Sequence, residues 1–240
     1  MAEQSHGRYY LDRKPHLMAQ FDLATGYFST ALPPFLETFE ISHLLDQART
    51  EFEDILPELP YIGGESNMLT KSLIQGAQCL PIFEALEAKG LEIRELARLV
   101  YEWTEREIEA KSEEKKRNVR GFYFSPGMRA VEMNRAAESQ SGRFPEDWVS
   151  EFVDGDGRGF DFGIDFVECG LCKFFGRRGA ERYTPIFCLS DYATYRAFKI
   201  GFRRTRTLAA GAAACDFRFN QDWTTPRGWP PESLEEYLPF

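Results

Sequence analysis

The chain of 240 residues carries 29 Lys and Arg against 38 Asp and Glu, a net charge of −9. Such an acidic chain is a poor match for a nucleic-acid binder, which needs a cationic footprint to displace counterions. With 43% hydrophobic and 28% charged residues, it also holds enough apolar surface to exclude disorder as its main state. No apolar run approaches the ~20 residues that span a bilayer, and residues 1–18 lack the apolar stretch of a secretory signal. A cytoplasmic protein is expected, with a small molecule as its partner and neither nucleic acid nor membrane. Oligomeric state is not legible. The 21 phenylalanines suit a large core or an aromatic-lined pocket.

Residues 1–34 show little periodicity and contain Gly26 and the Pro33-Pro34 pair, so an irregular N-terminal arm is expected. Residues 35–56 place Phe35, Phe39, Leu44, Leu45, Ala48, Phe52 and Ile55 largely at three- and four-residue spacing, which predicts an amphipathic helix. Pro57 and Pro60 end it. After the turn Tyr61–Asn67, with Ser66 or Asn67 as N-cap, a helix runs to about Lys89, kinked or divided by Pro81. A further helix spans Glu92 to about Arg117, its charged end from Lys111 read as a solvated face. A short helix covers 127–139.

The pattern then changes. Trp148–Val153 reads as a strand and Asp154–Gly159 as a turn. Phe160, Phe162, Ile164 and Phe166 alternate with more polar residues, so the two runs form a hairpin. The turn mimics the spacing of a calcium loop, but Arg158 stands where an oxygen ligand is needed and the flanks read as strands. Cys169–Phe175 and Asp191–Phe198 look helical. Gly201–Leu208 and Ala214–Phe219 read as a second hairpin around Gly211. The proline-rich tail from Asp222 reads as extended. The helical half is the more acidic, with 17 basic and 25 acidic side chains over residues 1–150 against 12 and 13 over 151–240.

Five cysteines, Cys79, Cys169, Cys172, Cys188 and Cys215, without a signal peptide read as reduced intracellular thiols. The three histidines all lie within the first 43 residues, so a reactive thiol here would be tuned by Arg, Lys or a helix end rather than by imidazole. Cys169-x-x-Cys172 has zinc or redox spacing, but lacks both a second pair and a βαβ context. A metal held by several of Cys169, Cys172, Cys188 and Cys215 is the rival to a metal-free site. Asp191 follows Cys188 by three residues and shares a helix face with it. Asp216 follows Cys215 directly, so on a strand the two point to opposite faces. Strand alternation puts Arg204 and Arg206 on one face. For any single cysteine, a small buried hydrophobe is the commoner role.

Glu168-Cys169-x-x-Cys172-Lys173, Cys188-x-x-Asp191-Tyr192 and Arg204-Thr205-x-Thr207-Leu208-Ala209-x-Gly211-x-x-x-Cys215-Asp216-Phe217-Arg218-Phe219 resemble the L-2-amino-thiazoline-4-carboxylic acid hydrolase family. Tyr61-Ile62-Gly63-Gly64-x-x-Asn67-x-Leu69-Thr70 is similar to that family's helical part, and the resemblance covers roughly residues 35–220. It implies a hydrolase that opens a cyclic isothiourea, in the type reaction converting L-2-amino-thiazoline-4-carboxylate to N-carbamoyl-L-cysteine. No catalytic residue comes with it, so roles follow from chemistry. Cys215 or Cys188, then Cys169, fits a thiolate nucleophile attacking the carbon between sulfur and two nitrogens. Asp191 or Asp216 fits the amidinium. Arg204 or Arg206 fits the substrate carboxylate through a bidentate fork and would lower the thiol pKa. Asn67 and Thr207 complete the binding set.

The expected fold is α+β: an arm (1–34), one catalytic domain (35–220) with a helical part (35–140) packed on an antiparallel sheet of two hairpins (145–220), and an extended tail (221–240). Two other functions compete with the hydrolase. One is a cyclase or isomerase of secondary metabolism, and the other is a sensor that binds a small molecule unchanged.

Overall fold

The computed structural model describes residues 8–155, 157 and 159–236. The chain divides into two compact units, the first ending at Leu96 and the second beginning at Ala97.

The first unit is helical. Residues expected to form an irregular arm instead make α1 (Lys14–Ala31), which buries Leu17, Met18, Phe21 and Phe28. Pro15 lies in its first turn, where the missing N–H has no intrahelical partner to lose. Gly26 faces open space, so it weakens the helix by about 1 kcal/mol relative to Ala without breaking it. α2 (Thr38–Ile55) matches the expected amphipathic helix. Phe21 stacks on its Phe52 at 5.3 Å, and Arg49 binds Asp22 at 2.7 Å. α3 (Thr70–Ala88) runs undivided through Pro81. Leu69 stands at the N-cap, not Ser66 or Asn67.

α4 (Ile93–Glu109) straddles the boundary, and α5 (Glu113–Tyr123) follows where one continuous helix was expected. The break lies inside the charged run. Ser112 Oγ accepts the Lys115 N–H at 3.2 Å, with Glu113 and Glu114 in the first turn, a complete helix start. α6 (Pro126–Ser139) leads to the sheet.

The sheet has β1 (Val149–Asp154), β2 (Phe162–Glu168), β3 (Phe202–Arg203) and β4 (Cys215–Phe219), antiparallel in the order β1-β2-β4-β3. The fold is therefore α+β, and the two expected hairpins merge into one sheet through the β2–β4 pairing. Phe162 lies opposite Phe219, Ile164 opposite Phe217 and Phe166 opposite Cys215, so period-two alternation collects these side chains on one face. Phe162 stacks on Phe219 at 5.0 Å, and Phe202 meets Phe217 at 5.2 Å. Of the expected turn 154–159, Asp156 and Arg158 lie outside the described residues.

Two helices precede β3: α7 (Gly170–Gly176) and α8 (Thr184–Ala197). α8 begins earlier than the sequence suggests and lays Tyr192 and Tyr195 on the aromatic face, 5.1 and 4.7 Å from the Phe202 ring. The strand expected over 201–208 stops at Arg203 because the next amides are taken. The N–H groups of Thr205 and Arg206 both donate to Asp216 Oδ1 at 2.9 Å. A short 3₁₀ turn (Leu208–Ala210) follows, ended by Gly211 at φ +85°.

The tail is irregular yet tightly packed. Thr225 Oγ1 accepts the Phe202 N–H at 2.9 Å, and the Gly228 N–H donates to Tyr101 Oη at 3.1 Å. A Cβ on Gly228 would lie 2.7 Å from Tyr192 Cβ, so the tail crosses α8 at a point that admits only glycine without a shift.

Candidate active site

The thiols Cys169, Cys188 and Cys215 converge in the second unit. They arrive from the N-cap of α7, the middle of α8 and the start of β4. Each opposes the ionisation of another, and Asp191 opposes that of Cys188 and Cys215. Three separated sequence strings are thereby brought to one place.

Burial dominates the thiols. It pushes Cys215 up to about 12 against the opposing Leu208 N–H and Arg204 charge. It also raises Cys188 well above the ordinary thiol range, with Arg204 only partly compensating. Cys169 is raised by a hydrogen bond with Cys172 and by burial. Arg204 does favour the Cys188 and Cys215 thiolates, but both thiols stay raised, because desolvation disfavours the anion by more than the guanidinium favours it. Cys79, alone in α3, is pushed up to about 12 by burial and serves as a core residue.

Asp191 lies one turn after Cys188 on α8. Its Oδ2 accepts from Arg204 Nη1 at 2.8 Å, and among the described residues no other hydrogen bond reaches the carboxylate. Burial outweighs Arg204 and pushes the carboxyl up to about 6, yet 32% of its side-chain surface stays accessible. Cys188 is half-buried beside it, whereas Phe187, Leu189 and Tyr192 on the same helix are buried.

Arg204 is the hub of this cluster. Only 1% of its side chain is accessible, and none of the Glu236 side chain is. Its Nε and Nη2 grip the two Glu236 oxygens at 2.7 and 2.8 Å. Nη2 also donates to the Cys188 carbonyl at 2.8 Å, and the guanidinium lies 4.8 Å from the Phe217 ring centre. Tyr192 Oη donates to the Arg204 carbonyl at 3.3 Å. The fork expected to hold a substrate carboxylate thus holds a carboxylate of the chain itself.

The remaining expected site residues are committed elsewhere. Arg206 is exposed and lies 4.0 Å from Asp216, away from the buried Arg204, because the chain leaves the sheet at Arg203 and alternation no longer pairs them. Asp216 holds the Thr205 and Arg206 amides and the Thr205 hydroxyl, contacts that keep its carboxyl below the usual range despite the opposing effect of burial. Thr207 Oγ1 accepts the Ala210 N–H at 3.1 Å and caps the 3₁₀ turn. Asn67 belongs to the first unit, where its side chain bridges the Ile62 carbonyl and the Leu69 N–H at 2.6 and 2.9 Å. Among the described residues no three His, Cys, Asp or Glu side chains are grouped to hold a metal ion. Nor, among them, is any helix long and apolar enough to cross a membrane.

Sequence reasoning missed Glu236. Nothing in Pro231-Glu232-Ser233-Leu234-Glu235-Glu236 distinguishes it from its acidic neighbours. Only its 32-residue reach to Arg204 reveals its place.

Comparison with curated proteins and with solved structures returned no match. The model of the L-2-amino-thiazoline-4-carboxylic acid hydrolase family matches residues 71–219, a span holding Cys169, Cys188, Asp191, Arg204 and Cys215 and ending before Glu236. With well over half its length inside that match, the chain belongs to the L-2-amino-thiazoline-4-carboxylic acid hydrolase family.

Proposed function

We propose that the chain hydrolyses a small cyclic isothiourea at its carbon–sulfur bond, with Cys188 as nucleophile and Asp191 as amidinium anchor and proton carrier. The observation that carries this reading is their placement. Both are partly accessible and one helical turn apart on α8, and Arg204 reaches both, donating to the Cys188 carbonyl and to the Asp191 carboxylate. The family supports a hydrolase; the ring chemistry and the cysteine step are the reading offered here.

Burial favours the protonated form of the Cys188 and Cys215 thiols. A cationic amidinium docked on Asp191 brings a positive charge beside Cys188, which favours thiolate formation. The Cys188 proton passes to Asp191 as Sγ bonds to the carbon between sulfur and the two nitrogens. The ring carbon–sulfur bond breaks, and the departing sulfur takes that proton. Water then adds to the same carbon, its oxygen becomes the urea carbonyl, and Cys188 leaves as the thiol. The extra proton of the amidinium goes to solvent.

Intact-protein mass spectrometry of enzyme quenched during turnover tests this. The protein should gain the full mass of one substrate, because ring opening expels no fragment, and Cys188→Ser should show neither adduct nor turnover. Full turnover by Cys188→Ser would leave Asp191 activating water directly. The raised thiols specifically favour that second mechanism.

A further inference from the structure

Arg204 already holds an anion. Its fork closes on both oxygens of Glu236 at 2.7 and 2.8 Å, and neither side chain is accessible beyond 1%. A substrate carboxylate could enter only by extracting Glu236, together with the buried Leu234 beside it. That exchange replaces one dry ion pair by another and leaves the expelled carboxylate to be rehoused. The charges that remain decide what can pair with Asp191. Arg204 is balanced by Glu236, so the Asp191 carboxylate is one negative charge in excess. Its second oxygen is unclaimed among the described residues, and a third of the side chain is open. Besides Arg204 and Glu236, the groups that feel its charge are the Cys188 and Cys215 thiols and the hydroxyls of Tyr123, Tyr192 and Tyr195, none of which supplies a cation. Of the other arginines of this segment, Arg203 lies over the Trp223 ring at 4.4 Å and Arg206 is exposed beside Asp216.

We infer that this chain takes a cyclic isothiourea bearing no ring carboxylate, a simple amidinium cation that pairs with Asp191 while Glu236 keeps Arg204 from binding an anion. The inference rests on the ring-opening reading for its substrate chemistry. The smallest such reaction balances as 2-amino-2-thiazoline plus water giving N-(2-sulfanylethyl)urea. The ring carbon–sulfur bond breaks, a carbon–oxygen bond forms, and sulfur leaves as a free thiol.

Titration calorimetry with the full chain compares 2-amino-2-thiazoline with L-2-amino-thiazoline-4-carboxylate, with product assayed after each titration so that heat of binding is separated from heat of turnover. The wild-type protein should bind the ring without the carboxylate at least ~10-fold more tightly, since a missing counter-ion in a buried site costs at least that factor. Glu236→Gln and Glu236→Ala uncover the Arg204 charge, and both should shift this preference toward the 4-carboxylate by a similar factor. If neither variant folds, the wild-type comparison decides alone. Equal or tighter wild-type binding of the 4-carboxylate, or binding of neither ring, overturns the inference. The predicted preference without any product would leave the substrate class standing and remove the hydrolytic reading instead.

Discussion

At Asp191 two influences oppose each other. Arg204 favours the carboxylate and burial disfavours it, with burial ahead, so the group titrates near 6 rather than in the ordinary carboxylate range. The active form in the proposed mechanism is the carboxylate. Activity is therefore complete above the raised pKa and is lost as pH falls through about 6. The expected kcat/KM profile has its acid limb near that value, because it reports the free enzyme. The kcat limb should lie lower, since a bound amidinium stabilises the carboxylate. Asp191→Asn should lose most of the activity and the limb with it; an unchanged limb in that variant would assign the titration to another group. The Cys188-x-x-Asp191 pair was legible because helical spacing alone puts positions three apart on one face. The state of Arg204 was not, because its counter-ion sits 32 residues away in a segment without periodicity. The thiol shifts were also illegible, since desolvation depends on what packs around a sulfur and not on its sequence neighbours.

Among the elements, the strands were legible where one face is apolar, as in Phe162-x-Ile164-x-Phe166 and Cys215-x-Phe217-x-Phe219. Alternation fixes which side faces the core, but not which strands become neighbours. So the two hairpins were read and the β2–β4 pairing that joins them was not. Helix starts written in polar residues were overlooked. Ser112-Glu113-Glu114 looked like charge rather than a boundary, and Pro15 like part of an arm. The tail shows the same limit, since its prolines suggest an extended segment whereas its buried contacts order it. Gly228 tests that packing, because a methyl group there would press on Tyr192 Cβ at 2.7 Å. Gly228→Ala should lower stability by about 1–3 kcal/mol, the usual cost of overpacking. It should also reduce turnover, because Tyr192 directly follows Asp191. Unchanged denaturation and unchanged kcat would show that the tail yields freely and has no grip on the site.

For the whole molecule, family membership and the details of its site separate at residue 219. The family match ends there, and Glu236, which fills the anion fork, lies beyond it. The groups of α8 proposed to act on the substrate thus sit within the matched span, while Glu236, which fills the Arg204 fork, comes from outside it. A fold shared across a family fixes where chemistry happens more firmly than what it acts on. The central claim is hydrolytic opening of a cyclic isothiourea, and its most direct measurement follows 2-amino-2-thiazoline and its 4-carboxylate with the purified chain by product mass and thiol titration together. The account predicts a product heavier by one water, with one new thiol per molecule consumed and faster conversion of the ring without the carboxylate. Ligand recovered unchanged from folded protein would contradict it, as would a product of altered mass without a new thiol.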